Sequence, residues 1–288
     1  MNDPTTFTLR EAALAISQSQ LRAEALVEAC LDRIARLQPA LNCFIRVTAE
    51  AARAEARAAD ASIKAGRTLG PLVGIPLAHK DMFYRAGEAC SCGSKIRTDF
   101  VPDHTATVLT RLDAAGAIEL GRLNMAEFAM GPTGHNDNFG RCRNPWNLHH
   151  ITGGSSSGSG AAVAGHLVFG ALGSDTGGSV RLPAAACGTV GIKPTLGRVS
   201  RYGTMPLSHS LDCIGVLARN VGDCARLLSV IAGADAHDGM SSGHPVSDYE
   251  RGLDDAADPN ALAGVTVGVP DRYYYDGIDH EVAELLAS

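Results

Sequence analysis

The stretch that most constrains this chain is "ITGGSSSGSGAAVAGHLVFGALGSDTGGSVRLP", residues 151–183. It holds two turns rich in Gly and Ser, and small apolar residues follow them. A Gly/Ser linker stays polar throughout, whereas "GSGAAVAGHLVFGALG" enters apolar sequence within three residues. The segment belongs to a packed domain. A phosphate cradle would open a helix with a glycine loop, usually ending in Lys-Ser/Thr. "GGSSSGSG" has no such lysine, and Gly158-x-Gly160-x-x-Val163 misses the third glycine of the dinucleotide fingerprint.

The flanking pattern is α/β. Thr8 with Glu11 makes a capping box before "LREAALAI". "LRAEALVEACLDRIARL" carries apolar residues at helical spacing, and the alanine-rich "AEAARAEARAADASIKAG" ends at Gly66, a C′ position. Residues 1–66 therefore read as a helical wrapper. "GPLVGIPLAHKDMF" is a continuous apolar run bounded by Gly and Pro, the pattern of a buried strand. "HTATVLTRLDAAGAIELGRL" reads as helix, stop at Gly116, strand. "LVFGALGS", "GTVGIKP" and "VTVGVP" read as short strands, and "VGDCARLLSVIAG" as a helix capped by Asn220. Strands alternating with helices predict a layered α/β core over about 67–233. The polar, Gly/Pro-punctuated 234–262 reads as a surface excursion, and "DHEVAELLAS" begins a helix.

A net charge of −6 with scattered Lys and Arg argues against a nucleic-acid footprint. The start, "MNDPTTFTLREAALAI", lacks signal-peptide features, and no apolar run approaches the ~18 residues of a membrane span. The eight cysteines show no zinc spacing and read as reduced thiols, so the expected location is cytoplasmic.

Two nucleophile readings compete. Gly154-Ser155-Ser156-Ser157-Gly158 matches the G-x-S-x-G elbow of α/β-hydrolases, which needs a strand just before it; "RCRNPWNLHHIT" is a poor one. In the second reading, the strand "LVFGALG" runs into a tight Asp-Thr-Gly-Gly turn and a helix entered at Ser179. The backbone N–H groups of Thr176, Gly177, Gly178 and Ser179 would there face a developing oxyanion. A plain Ser N-cap would look the same. A nucleophilic serine also needs a proton acceptor, and no histidine lies close in sequence. Lysine serves if neutral; arginine, always charged, does not. Holding a lysine neutral at pH 7 costs about 4.6 kcal/mol, so the site must be buried. Only four lysines occur: Lys64 and Lys95 in polar stretches, and Lys80 and Lys193 each ending a buried strand. Lys193 precedes Pro194. Strand alternation sends Asp81 away from Lys80, which makes Lys80 the better base. A hydroxyl both donates and accepts, so Ser155 could relay between Lys80 and Ser179.

Together, "GIPLAHKDMF", "GGSSSGSGAAVA" and "GSDTGGSVRLPAAACGTVGIKPT" resemble the amidase signature family, with Lys80, Ser155 and Ser179 in order and 24 residues between the serines. "LGRLNMAEFAMG", "GRCRNPWN" and "GRVSRYGTMPLSHSLDCIG" support it. The resemblance implies an α/β/α sandwich with a mixed central sheet, in a domain that continues beyond residue 288 and so here lacks its C-terminal part, of which 234–288 would be the start. It implies a Ser–cisSer–Lys mechanism: Ser179 as nucleophile, Ser155 after a cis peptide as bridge, Lys80 as base, and the N–H groups of Thr176, Gly177 and Gly178 as oxyanion hole. Asp175 and Arg181 would hold the turn. No metal or organic cofactor is implied. The implied substrate is a small-molecule amide, split to acid plus ammonia or amine by a stand-alone amidase, alone or as a homodimer. One branch of the family, the glutamine-hydrolysing component of the aminoacyl-tRNA amidotransferase, instead works with partner subunits. "NMAEFAMG" and "GRVSRYG" are similar to that branch, while "TMPLSHSLDCIG" is more similar to the stand-alone amidases, which are preferred here. An inactive descendant that serves as a scaffold or binding protein is the remaining alternative.

Overall fold

The computed structural model of the chain describes residues 3–67, 70–253, 262–270 and 272–287. Met1–Glu250 form one compact unit and Arg251–Ser288 a second. Helix α1 (Leu9–Ser17) opens with the expected capping box, Glu11 N–H on Thr8 Oγ1 at 3.1 Å and Thr8 N–H on Glu11 Oε2 at 2.8 Å. Helix α2 (Ala23–Leu41), strand β1 (Phe44–Val47) and helix α3 (Ala49–Lys64) follow. Just past α3, Gly66 takes φ +68°, the left-handed geometry that favours glycine at a helix end.

Strand β2 (Pro76–Lys80), helix α4 (Thr107–Ala114), strand β3 (Ile118–Leu123), helix α5 (Ser157–Ala164), strand β4 (Gly170–Asp175), helix α6 (Arg181–Cys187), strands β5 (Val190–Ile192) and β6 (Cys213–Ala218), and helix α7 (Val221–Ile231) complete the larger unit. The sheet order is β1-β3-β2-β4-β6-β5. β2 runs parallel to β3 and β4, while the β1/β3, β4/β6 and β5/β6 pairs are antiparallel. This is the mixed sheet and α/β class expected. β2, β4 and β6 are buried along their whole length, as strands covered on both faces must be.

Two glycines of β4 show how tightly both faces are covered. A Cβ at Gly170 would meet Leu227 of α7 at 2.5 Å, and one at Gly173 would meet Ser156 Oγ, before α5, at 2.7 Å. The small residues of the Gly/Ser stretch have the same cause. A Cβ at Gly158 would sit 2.4 Å from the carbonyl oxygen of Cys43, so α5 approaches the sheet at a distance only glycine permits there. The hydroxyls that accompany it into the core are satisfied locally: Ser159 Oγ donates to the Leu172 carbonyl at 3.0 Å and Ser157 Oγ to that of Asn124 at 3.3 Å.

Three expectations need correction. β1 and β6 are strands that the sequence patterns did not flag; β1 is a short edge strand. β6 carries Gly215, where a Cβ would lie 2.3 Å from the Ile192 carbonyl oxygen of β5, so the glycine marks close strand approach rather than a turn. "VTVGVP" forms no strand: residues 265–270 lack regular structure, and Val265, Val267 and Val269 are exposed. Alternation alone does not make a strand without a neighbour to take up its backbone hydrogen bonds. The segment 234–253 is irregular and mostly exposed or half-buried, as expected of an excursion; residues 254–261 of that stretch lie outside the described residues. Helix α8 (His280–Ala287) forms where "DHEVAELLAS" placed a helix.

Candidate active site

The end of β2 delivers Lys80 into the core with 0% of its surface exposed. Its Nζ lies 2.7 Å from Ser155 Oγ and 2.8 Å from Ser174 Oγ. The next residue, Asp81, faces elsewhere and accepts from the N–H and Oγ of Ser91 at 2.9 and 2.5 Å. Burial pushes the Lys80 amine down to about 7, against the opposing pull of Asp212, Cys92 and Asp175. Desolvation wins because the lysine's hydrogen-bond partners are neutral hydroxyls rather than a paired carboxylate. A neutral amine has two N–H donors and one lone pair, so it can be held by one serine while accepting from the other. Of the other lysines, Lys64 and Lys95 are exposed, and half-buried Lys193 donates to the Pro194 carbonyl at 2.9 Å.

Ser155 follows a cis peptide, Gly154–Ser155. Its carbonyl accepts the Ala126 N–H at 3.0 Å, and the Ser156 N–H donates to the Ser179 carbonyl at 3.2 Å, tying the first serine turn to the second. Ser155 is fully buried while Ser179 is half-buried. Among the described residues the Ser179 hydroxyl makes no hydrogen bond. Lys80 and Ser155 are thus in direct contact, and Ser179 sits on the adjoining turn with a reachable hydroxyl. Ser156 is 0% exposed and its Oγ donates to the Ser174 carbonyl at 3.4 Å. No strand precedes it, since residues 141–153 are irregular. Both facts remove the G-x-S-x-G elbow.

Asp175 builds the second turn. Its buried carboxylate accepts N–H groups of Gly178 (2.8 Å), Val180 (3.1 Å) and Arg181 (3.3 Å), and the Arg181 side chain through Nε (3.0 Å) and Nη2 (2.9 Å). Burial alone would raise this carboxyl, but the Arg181 guanidinium and the backbone donors outweigh it and hold it below its ordinary range. Asp175 and Arg181 are therefore structural partners in the turn. Two corrections follow. Helix α6 starts at Arg181 rather than at Ser179, because Asp175 draws residues 178–181 into a turn first. The Gly178 N–H, expected in an oxyanion hole, is already engaged by Asp175. The N–H groups of Thr176, Gly177 and Ser179 make no hydrogen bond among the described residues.

Sequence patterns missed two residues. Ser174 is a buried polar residue inside an apolar strand, which was the only signal it gave. Asp212 lies 36 residues from Thr176, whose Oγ1 donates to its Oδ1 at 2.5 Å. A cavity of about 230 Å³ opens beside both Ser174 and Asp212, walled by Met82, Met205 and Ile214. Among the described residues no cluster of His, Cys, Asp and Glu is placed to hold a metal, and no helix is long and apolar enough to cross a membrane. All eight cysteines are buried free thiols.

A mixed α/β sheet carrying a buried lysine on a serine hydroxyl, beside a Gly-Gly-Ser turn, defines a class of serine-dependent hydrolases. Residues 25–288 match the family described as Amidase. The chain belongs to this family, the amidase signature family. It is 48% identical over 275 residues to the glutamine-side component, GatA type, of the glutamyl-tRNA(Gln) amidotransferase of Roseiflexus sp. (strain RS-1), covering 96% of this chain and 55% of that protein. Among solved structures, the native peptide amidase of Stenotrophomonas maltophilia superposes with a TM-score of 0.81 at 39% identity, covering 85% of this chain and 52% of that one. A chain from a vestigial protein complex bearing on the origins of an s-triazine catabolic enzyme superposes with a TM-score of 0.83 at 42% identity, covering 86% and 54%. The chain spans about half the length of the relatives it matches.

Proposed function

We propose that the protein hydrolyses a carboxamide through an acyl-enzyme on Ser179. Ser179 Oγ attacks the amide carbon; its proton passes to Ser155, whose own proton passes to the neutral amine of Lys80. The N–H groups of Thr176 and Gly177 stabilise the tetrahedral oxyanion. The same relay, reversed, protonates the leaving nitrogen, and ammonia or an amine departs. Water, activated by the relay, then cleaves the acyl-serine ester and regenerates the hydroxyl. No step requires a metal or organic cofactor.

The single observation that carries this reading is the fully buried Lys80 amine, lowered to about 7, in contact with Ser155 at 2.7 Å. A buried lysine without catalytic work would ordinarily be paired with a carboxylate. On the substrate, the curated relatives favour the amidotransferase branch over the stand-alone amidase preferred from sequence. Their name supports the side-chain amide of glutamine, with the released ammonia passed to a partner protein. The likeness to a peptide amidase supports the second reading, a stand-alone enzyme acting on small or peptide amides. Ammonia release from glutamine and from a panel of simple amides, with and without partner subunits, tests both. The reading requires turnover of at least one amide that Ser179→Ala abolishes; turnover unaffected by S179A contradicts it.

A further inference from the structure

We propose that Asp212 is a positioning residue for amide hydrolysis: through Thr176 it holds the turn that carries Ser179, and its carboxylate is a negative charge that the Lys80 amine feels across the site. This role rests on the amide-hydrolase reading above. The register of the sheet creates the link. β4 and β6 pair Asp175 with Cys213 and Ser174 with Ile214, so the next step of the ladder brings Asp212 opposite Thr176. There, Thr176 Oγ1 donates to Asp212 Oδ1 at 2.5 Å, while the N–H groups of Leu207 and Ser208 donate to Oδ2 at 2.8 and 2.9 Å. The carboxylate is 7% exposed, and among the described residues no cation pairs with it. A buried carboxylate held by three neutral donors keeps its charge available to groups further off.

The groups that face Lys80 are few. Ser174 and Asp175 come from β4, Cys92 from the loop after β2, Ser155 from the first serine turn, and Asp212 from the loop before β6. Asp175 is matched by Arg181. Burial is the larger influence on the lysine, and Asp212 is the strongest of the charges opposing it. Asp212 therefore has two separable effects: it steadies the Thr176 turn by a hydrogen bond, and it favours the protonated lysine by its charge.

Two variants separate them. Asp212→Asn removes the charge and keeps the shape; Thr176→Val removes the hydrogen bond and keeps the charge. The chain has only four lysines, so ¹³C-lysine NMR titration reads the Lys80 midpoint directly and needs no turnover. Amide hydrolysis measured across pH supplies the second readout. D212N is expected to lower the Lys80 midpoint by at least ~0.5 in pH and to move the acid limb of kcat/KM down with it. T176V is expected to leave the midpoint in place and reduce kcat by about 10- to 100-fold. Asp212→Glu, which restores the charge, should return the midpoint towards wild type. An unmoved midpoint in D212N, read in protein with a wild-type fold, overturns the proposal, as does wild-type kcat in T176V. Failure of the hydrolase reading looks different: wild-type protein would turn over no amide while the NMR midpoints still answered for Asp212.

Discussion

Lys80 Nζ and Ser155 Oγ stand 2.7 Å apart, both wholly shielded from solvent, at the point where β2 meets the first serine turn. Because the lysine's ammonium would be charged without a partner carboxylate, the neutral amine is favoured there. That preference makes the pair useful as a proton relay.

Replacing the amine should stop the relay. Lys80→Met keeps the length and apolar character of the side chain and is expected to fold, while amide hydrolysis falls by about 10³-fold or more. Lys80→Arg should not rescue it, since guanidinium does not give up its proton. Steady-state kinetics on both variants checks this.

The lowered lysine also predicts a pH dependence. Activity should rise as pH passes about 7, where the buried amine becomes neutral. Stability should follow. In the unfolded chain the lysine titrates near its ordinary ~10.4, so between about 7 and 10 the unfolded state holds the extra proton. Folding is therefore favoured progressively as pH rises through that window, and the penalty is full below it. Urea unfolding of wild type against Lys80→Met should show a difference that shrinks by up to about 4 kcal/mol across the window.

Asp175 and Arg181 should behave unequally. The aspartate is buried and satisfies three backbone N–H groups, while the Arg181 side chain is 54% exposed. Asp175→Ala should cost about 3 kcal/mol or more and remove activity, because it orphans the donors of the turn. Arg181→Ala should cost roughly 1 kcal/mol. Denaturation midpoints of the two variants decide it.

Two glycines offer a contrast in packing. Gly158→Ala forces a Cβ to 2.4 Å from a backbone oxygen, and should destabilise by about 1–3 kcal/mol and disturb Ser155. At Gly177 an added Cβ meets nothing within 4 Å, so Gly177→Ala should leave stability within about 0.5 kcal/mol of wild type. Thermal melts on both proteins test the difference.

Much of this site was readable from residue types. Lys80 stood out because it ends a buried strand in a chain with only four lysines, and the serine turns because they run into apolar sequence. The layered α/β class followed from alternating patterns. What escaped was set by pairing between distant segments. Ser174 and Asp212 matter only because β4 and β6 lie side by side, and β6 carries a glycine that reads as a break. Asp175 reshaped a turn whose local pattern reads as the start of a helix, and so claimed the Gly178 amide. "VTVGVP" failed for the converse reason, since its alternating pattern found no ladder partner among the described residues.

The central claim is that Ser179, not a neighbouring serine, is the nucleophile activated through positions 155 and 80. Treatment with a fluorophosphonate followed by peptide mass spectrometry tests it most directly. The account predicts a single phosphonylated serine, Ser179, with labelling lost in Lys80→Met. Modification of Ser156 instead, or labelling of Ser179 that proceeds equally well without the lysine, would contradict it.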